Sequence, residues 1–288
     1  VIREGMDPAA GGVAPAMTTL GRLGIWRGAT QVDGAFAARA EELGFGTVWL
    51  GGSPGGDLAV VDPLLEATEN LVVATGILNI WQDDARSAAA AFRRIEKLHP
   101  GRFVLGIGAG HREASADYRT PYQALVDYLD VLAAEGVPKE RTVLAALGPK
   151  VLRLAADRTA GAHPYLTSPE HTRSAREILG DGVLLAPEQK VVLDEDDARG
   201  RELGRKTVKF YLGLQNYVAN LRRLGFGDAD VEKPGSDRLV DVLAVHGDGD
   251  AIAAGVRAHL DAGADHVAVQ ALDDDPWPAL EAVAQRLR

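Results

Sequence analysis

From Leu20 to the C-terminus, short apolar runs of β-forming residues alternate with amphipathic helical segments, and no other feature of the chain narrows its fold as far. Strands are expected at Leu20–Trp26, Thr47–Leu50, Leu71–Leu78, Phe103–Gly108, Thr142–Ala146, Gly161–Tyr165, Leu184–Val192 and His266–Gln270, eight in all. Between them lie helical patterns such as QVDGAFAARAEELG and DDARSAAAAFRRIEKL, several of which begin at Asp, Thr or Pro and end at Gly. Such alternation is the signature of parallel βαβ units, and eight units imply a (β/α)8 TIM barrel with its site at the carboxyl ends of the strands. The spacing is broken once: Asp194 to Leu243 holds about three helical patterns where one would suffice. A helical insertion between strands seven and eight is expected there, covering the barrel mouth or making an oligomer contact. Residues 1–16, VIREGMDPAAGGVAPA, carry neither period and read as an N-terminal tail, leaving 17–288 as a single barrel domain.

Composition sets the function classes aside from one another. The 288 residues are 46% apolar and 25% charged, and no apolar run reaches the roughly 18 residues that span a bilayer, so a soluble cytoplasmic protein is expected. A net charge of −10 without any basic run argues against a nucleic-acid surface, which needs clustered Lys and Arg. The absence of cysteine excludes disulfides, thiolate nucleophiles and Cys-ligated metals.

The candidate chemistry sits at the strand ends. RFVLGIGAGHRE, Arg102 to Glu113, places Gly106, Gly108 and Gly110 after an apolar strand and suggests the G-x-G-x-x-G dinucleotide fingerprint. The third glycine, Gly110, falls one residue early and His111 stands where the motif wants glycine, so the fingerprint fails. What survives is a bare turn, Gly108–Ala109–Gly110, presenting an imidazole able to donate or accept a proton near neutral pH. In AALGPKVLRLA, Gly148 followed by Pro149 starts a helix whose first amides are free for an anion, and Lys150 adds positive charge.

Other strand ends read two ways. Gly76 in VVATGILNIW marks a bulge or a close backbone approach, with Asn79 and Trp81 in the loop beyond. The glycines of VWLGGSPGGD bare the backbone for a planar ligand or form a plain loop. Trp26 is a rim-packing residue or a ligand platform, and Glu188, Gln189 and Lys190 reach the mouth or flank their strand. Ser168 reads as an N-cap before Pro169. His163 and His171 form no metal set, and neither G-x-S-x-G nor a Ser/His/Asp arrangement occurs.

Taken in order, LGIW, ELGFGTVWL, VVATGILNIW, RFVLGIGAGH and AALGPKVLRLA resemble the bacterial luciferase-like barrel family, and within it the coenzyme F420-dependent oxidoreductases. WLGGSP, GAGH and AHPYLTSPEHT are similar to segments of an actinobacterial-type subfamily of that branch. The resemblance implies a non-prolyl cis peptide at Gly76–Ile77 backing the deazaflavin ring, with Asn79 in the adjoining loop. It implies that Ala109, Gly110 and His111 lie beside the ring and that Ala146, Leu147, Gly148 and Pro149, with Lys150, hold the cofactor's phosphate. Several F420-dependent members carry an Asp-His or similar pair at the end of strand two, where this chain has Gly52 and Ser53. That departure removes support for sugar-phosphate dehydrogenation and leaves His111 as the expected catalytic acid/base. The implied activity is hydride transfer between F420 and a small organic substrate in a homodimer, without metal. The alternatives are FMN in the same site, giving a luciferase-like monooxygenase, and a non-catalytic cofactor-binding barrel.

Overall fold

The computed structural model describes residues 20–110 and 120–287. Its first half runs β1 (Leu23–Gly28), α1 (Gly34–Glu42), β2 (Thr47–Gly51), α2 (Val61–Glu66), β3 (Val72–Thr75), β4 (Leu78–Asn79), α3 (Ala85–Leu98), β5 (Phe103–Gly108), α4 (Pro121–Ala134), β6 (Thr142–Leu144) and α5 (Pro149–Arg158). The second half continues with β7 (Gly161–Ala162), α6 (Pro169–Leu179), β8 (Leu184–Leu185), β9 (Glu188–Leu193), α7 (Asp197–Tyr211), α8 (Gln215–Arg223), α9 (Asp228–Val231), α10 (Asp237–Leu243), β10 (Ala244–Gly247), α11 (Gly249–Asp261), β11 (Val267–Ala271) and α12 (Trp277–Leu287). The expected N-terminal tail, residues 1–16, lies outside the described residues. No described helix is long and apolar enough to cross a membrane.

The strands form one parallel sheet in the order β10-β9-β11-β1-β2-β3-β5-β6-β7-β8, with β4 on β5. β8 ends this path and β9 lies next to its other end, yet only Ala186 and Pro187 separate them in the chain. The sheet is therefore strongly curled, in the manner of a TIM barrel. The break falls where Pro187 has no N–H to give; Ala186 N still bonds Ala162 O on one side, while Pro187 O accepts from Ala268 N on the other. The stretch read as one strand, 184–192, is thus two short ones facing different neighbours. β10 was not expected from the sequence: AVHG is four residues long, too short to show a period. Four helices, α7 to α10, fill the chain between β9 and β10, where about three patterns were read.

Side chains alternate across each strand, and both faces are buried, which is why the strands read as nearly continuous apolar runs. In β2 and β3, Val48, Leu50 and Val73 pack outward under the helices, whereas Trp49, Val72 and Ala74 join Val104, Val143 and Ala268 in the interior. The α7–α10 segment has its own core of Val208, Leu221, Leu239 and neighbours, joined to the body through Leu166. Helix starts follow their caps: Asp33, Asp84 and Ser168 accept first-turn amides of α1, α3 and α6.

The interior glycine of VVATGILNIW marks a bulge. β3 pairs Ala74 with Val104 and β4 pairs Leu78 with Ile107, so four steps on one side oppose three on the other. Gly76–Ile77 within it is a cis peptide. Thr75 Oγ1 bridges the gap, donating to Gly106 O at 2.7 Å and accepting from Gly106 N at 2.8 Å. A side chain on Gly106 would put Cβ 1.9 Å from Thr75 O. Gly106 thus lets two strands close on each other and is no part of a turn. Gly106→Ala is expected to lower stability by about 2–3 kcal/mol through forced separation of β3 and β5; an unchanged urea midpoint would contradict this.

Candidate active site

The carboxyl ends of β1, β2, β3, β5, β6 and β7 converge on one cavity of about 650 Å³, to whose wall α4, α7 and α8 also contribute. That size suits a cofactor or a small organic molecule. Gly76, Ile77, Asn79, Ala109, Gly110, Ala146, Leu147 and Gly148 all line it, so the strand-three, strand-four and strand-five segments singled out in the sequence meet in one place. Pro149 and Lys150 are not among its lining residues, but Lys150 Nζ sits 3.9 Å over the ring of Tyr122, which is. His111, the expected acid/base, lies outside the described residues.

The floor is built by β1 and the bulge. Trp26 Nε1 donates to Gly76 O at 3.0 Å, and Gly76 N donates to Leu50 O at 2.8 Å. The glycines after β2 divide by position. A Cβ on Gly51 would fall 2.0 Å from Trp26 Cζ2, so this glycine is bare to admit the indole, whereas Gly52, at φ +80°, has open space around it and faces the cavity. Trp26 is therefore both a rim residue and a wall of the cavity. Asn79 spends its side-chain oxygen on Trp81 N at 3.0 Å, and Trp81 Nε1 donates to Ala109 O at 2.6 Å, which ties the β4 loop to the turn after β5.

At the other end, α5 begins at Gly148 and Pro149 without any side-chain cap. Pro149 has no N–H and Val151 N already donates to Gly148 O at 3.1 Å, so this start offers an anion fewer free amides than an ordinary helix start, beside the favourable end of the helix dipole. Gly148 and Val151 of this turn line the cavity together with Arg223, whose Nη2 lies 3.6 Å from where a Gly148 Cβ would be. His171, buried on α6, donates from Nε2 to Leu147 O at 2.9 Å and fixes the approach to that turn. Burial, opposed by this hydrogen bond, lowers its pKa. A bare platform and an uncapped helix start with a guanidinium beside it, both on one cavity, fit a planar ring cofactor carrying a phosphate.

The remaining wall was not legible in the sequence. His163 is 1% exposed, donates from Nδ1 to Ala186 O at 2.7 Å and stacks on Trp49 at 4.1 Å. Its pKa is pushed down to about 4, mainly by burial, so near neutrality it is an uncharged ring whose Nε2 is a partnerless acceptor beside Gly76. Tyr165, Tyr211 and Tyr217 complete the wall. Glu188, Gln189 and Lys190, which the sequence left either at the mouth or beside their strand, are all buried behind it and do not line the cavity. Lys190 Nζ meets Glu188 Oε2 at 2.8 Å and lies 3.8 Å over the Tyr165 ring. Burial pushes the Glu188 carboxyl up and the Lys190 ammonium down, while their mutual attraction opposes both shifts.

Comparison with known proteins bears on the fold that carries this cavity. Residues 29–135 match the family model of the luciferase-like monooxygenases. No curated protein matches the chain in sequence. Among solved structures it is similar to an F420-dependent secondary alcohol dehydrogenase in complex with an F420-acetone adduct, at 14% identity and a TM-score of 0.71 over 92% of this chain and 97% of that one. It is also similar to the coenzyme F420-dependent tetrahydromethanopterin reductase of Methanopyrus kandleri, at 16% identity and TM-score 0.65 over the same shares. The oxygenating constituent of 3,6-diketocamphane monooxygenase from Pseudomonas putida, in complex with FMN, aligns at 16% identity and TM-score 0.62, again over 92% and 97%. The luciferase-like resemblance read from the strand-end motifs thus has independent support, with F420-dependent and FMN-binding structures both among the neighbours.

Proposed function

We propose that this chain, which carries a luciferase-like domain of the oxidoreductase and monooxygenase superfamily, is a (β/α)8 barrel that uses coenzyme F420 to oxidise or reduce a small organic molecule. The observation that carries this reading is that the Gly76–Ile77 platform and the uncapped start of α5 open on the same cavity. In this reading Gly76, Ile77, Asn79, Ala109 and Gly110 face the ring system. The backbone from Ala146 to Pro149 takes the phosphate, with Lys150 and Arg223 supplying positive charge. The cofactor supplies hydride transfer at its deazaflavin carbon.

The chain's own part is positioning and exclusion of water. Trp26 anchors the platform through Gly76 O, His171 holds the Leu147 carbonyl, and α7 and α8 line the cavity. His163 is too acidic as an imidazolium to donate a proton near neutrality, which leaves His111 as the proposed acid/base group. Titration of F420 into micromolar protein tests the cofactor assignment: saturable change in its fluorescence is expected, with weaker response to FMN. Silence with F420 beside clear FMN binding would replace this reading by a flavin-dependent one.

A further inference from the structure

We propose that His163 is a specificity-determining residue of the cofactor site, its Nε2 accepting a hydrogen bond from the imide N–H of the planar ring bound on Gly76–Ile77; this deepens the oxidoreductase reading and rests on it. The imidazole is held from several directions. It follows β7 directly, where His163 N donates to Leu144 O at 2.8 Å. Its ring stacks on Trp49 with 4.1 Å between centroids and 8° between planes, and Trp49 is itself held by its Nε1 bond to His266 Nε2 at 2.9 Å. Nδ1 meets Ala186 O at 2.7 Å. A carbonyl oxygen can only accept, so Nδ1 carries the hydrogen and Nε2 a lone pair.

The lone pair stands beside the platform. His163 lines the cavity with Gly76 and Ile77. A Cβ on Gly76 would fall 3.2 Å from His163 Nε2 and 2.9 Å from Trp26 Nε1, so the platform comes this close to both nitrogens only because Gly76 has no side chain. Trp26 Nε1 is spent on Gly76 O, whereas His163 Nε2 is buried with no hydrogen-bond partner among the described residues. A buried acceptor left unpaired costs about 1–3 kcal/mol, a cost that a bound donor removes. Charge and chemistry narrow the donor. Burial pushes the His163 pKa down to about 4, so near neutrality the ring is uncharged and draws neither phosphate nor carboxylate. Ring carbonyls have no hydrogen to give. The imide N–H, which deazaflavin and flavin rings share on their pyrimidine edge, has one, and hydrogen bonds to ring nitrogens are among the means by which a fold positions and tunes such a cofactor.

Fluorescence titration of the full chain with F420, and with F420 methylated at the imide nitrogen, tests this. The parent is expected to hold F420 about tenfold or more tightly than the methylated ring. In His163→Leu, which removes the acceptor and is shorter than imidazole, that preference is expected to fall to within about twofold. A merely structural His163 would weaken both rings alike and keep the preference. The parent alone gives a second reading by nitrogen NMR with isotope-labelled histidine. The Nε2 resonance of His163 should be that of an unbonded acceptor in the free protein and should move upfield on adding F420, but not on adding the methylated ring. Equal affinity of the parent for both rings, a preference unchanged in His163→Leu, or an Nε2 resonance already that of a bonded acceptor before ligand is added would overturn the assignment. If FMN binds in place of F420, FMN and its imide-methylated form take over as probes, and a preference lost in His163→Leu then supports His163 and refutes the cofactor assignment alone. A chain that binds neither ring overturns both.

Discussion

Between about pH 6.5 and pH 4 the folded protein is expected to lose stability on the order of 10 kcal/mol, as much as a typical domain possesses. Three buried histidines are responsible. His163 and His266 have pKa values pushed down to about 4 and His259 to about 3, in each case chiefly by burial. Hydrogen bonds hold His266 and His259 as neutral rings, and for His163 burial alone does so. His266 donates from Nδ1 to Gly21 O at 2.8 Å and accepts from Trp49 Nε1 at 2.9 Å, so a second proton has no acceptor to meet. His259 is held between Thr172 Oγ1 at 2.7 Å and Gln189 Oε1 at 2.8 Å, an arrangement that suits one tautomer.

In the unfolded chain all three titrate near the ordinary value of about 6.5, so below it the unfolded state binds more protons and stability falls with pH. The contribution is full above about pH 6.5 and is lost down to the folded values. Glu188 and Asp273, raised chiefly by burial, act in the opposite sense, while His171, lowered chiefly by burial, adds to the loss. Urea midpoints at pH 7, 6 and 5 should fall steeply, and a midpoint flat across this range would contradict the neutral, buried assignment.

Glu188→Ala is expected to cost about 3–5 kcal/mol, because it strands the Lys190 ammonium in the interior with no carboxylate to answer it. Both side chains are within 1% of full burial, so solvent screens neither. Glu188 Oε2 also accepts from Leu166 N at 3.1 Å, and that amide would be left unpaired together with the ammonium. For a chain of this size the melting temperature should drop by about 10 °C. Glu188→Gln with Lys190→Met, which removes both charges and keeps similar volumes, should recover most of the loss. A single variant that melts within a degree or two of the parent would show that the pair is not closed off from water.

The strands of the first half were legible because each is apolar on both faces and long enough to stand out between helices; Phe103–Gly108 was read to the residue. The places where the reading slipped have local causes. Gly76 was ambiguous until the register of β3 and β4 against β5 exposed the extra residue. Gly106 looked like the first glycine of a near-miss nucleotide fingerprint, although its bareness serves the Thr75 carbonyl. β10 and the split between β8 and β9 depend on which neighbours the chain meets, and four-residue segments carry no trace of that.

The site divided in the same way. Glycine and proline marked Gly76 and Gly148–Pro149 as places where the backbone is bare, and Gly76 and Gly148 line the cavity, but they did not show what either place serves. Side-chain-built parts left no such mark. Tyr211 and Tyr217 arrive from helices more than forty residues beyond Tyr165, and only packing of the α7–α10 segment over the strand ends brings the three rings together. Buried His259 and His266 gave no signal either, since a histidine in a core differs from one in a loop only by its neighbours in space.

A crystal structure of the protein with F420 tests the central claim most directly. The account predicts the deazaflavin ring against Gly76–Ile77 and the phosphate at the first turn of α5 beside Gly148, with the face of the ring toward Trp26 and Tyr165 left open to substrate. A ring bound elsewhere on the barrel, or a phosphate held away from α5, would contradict it.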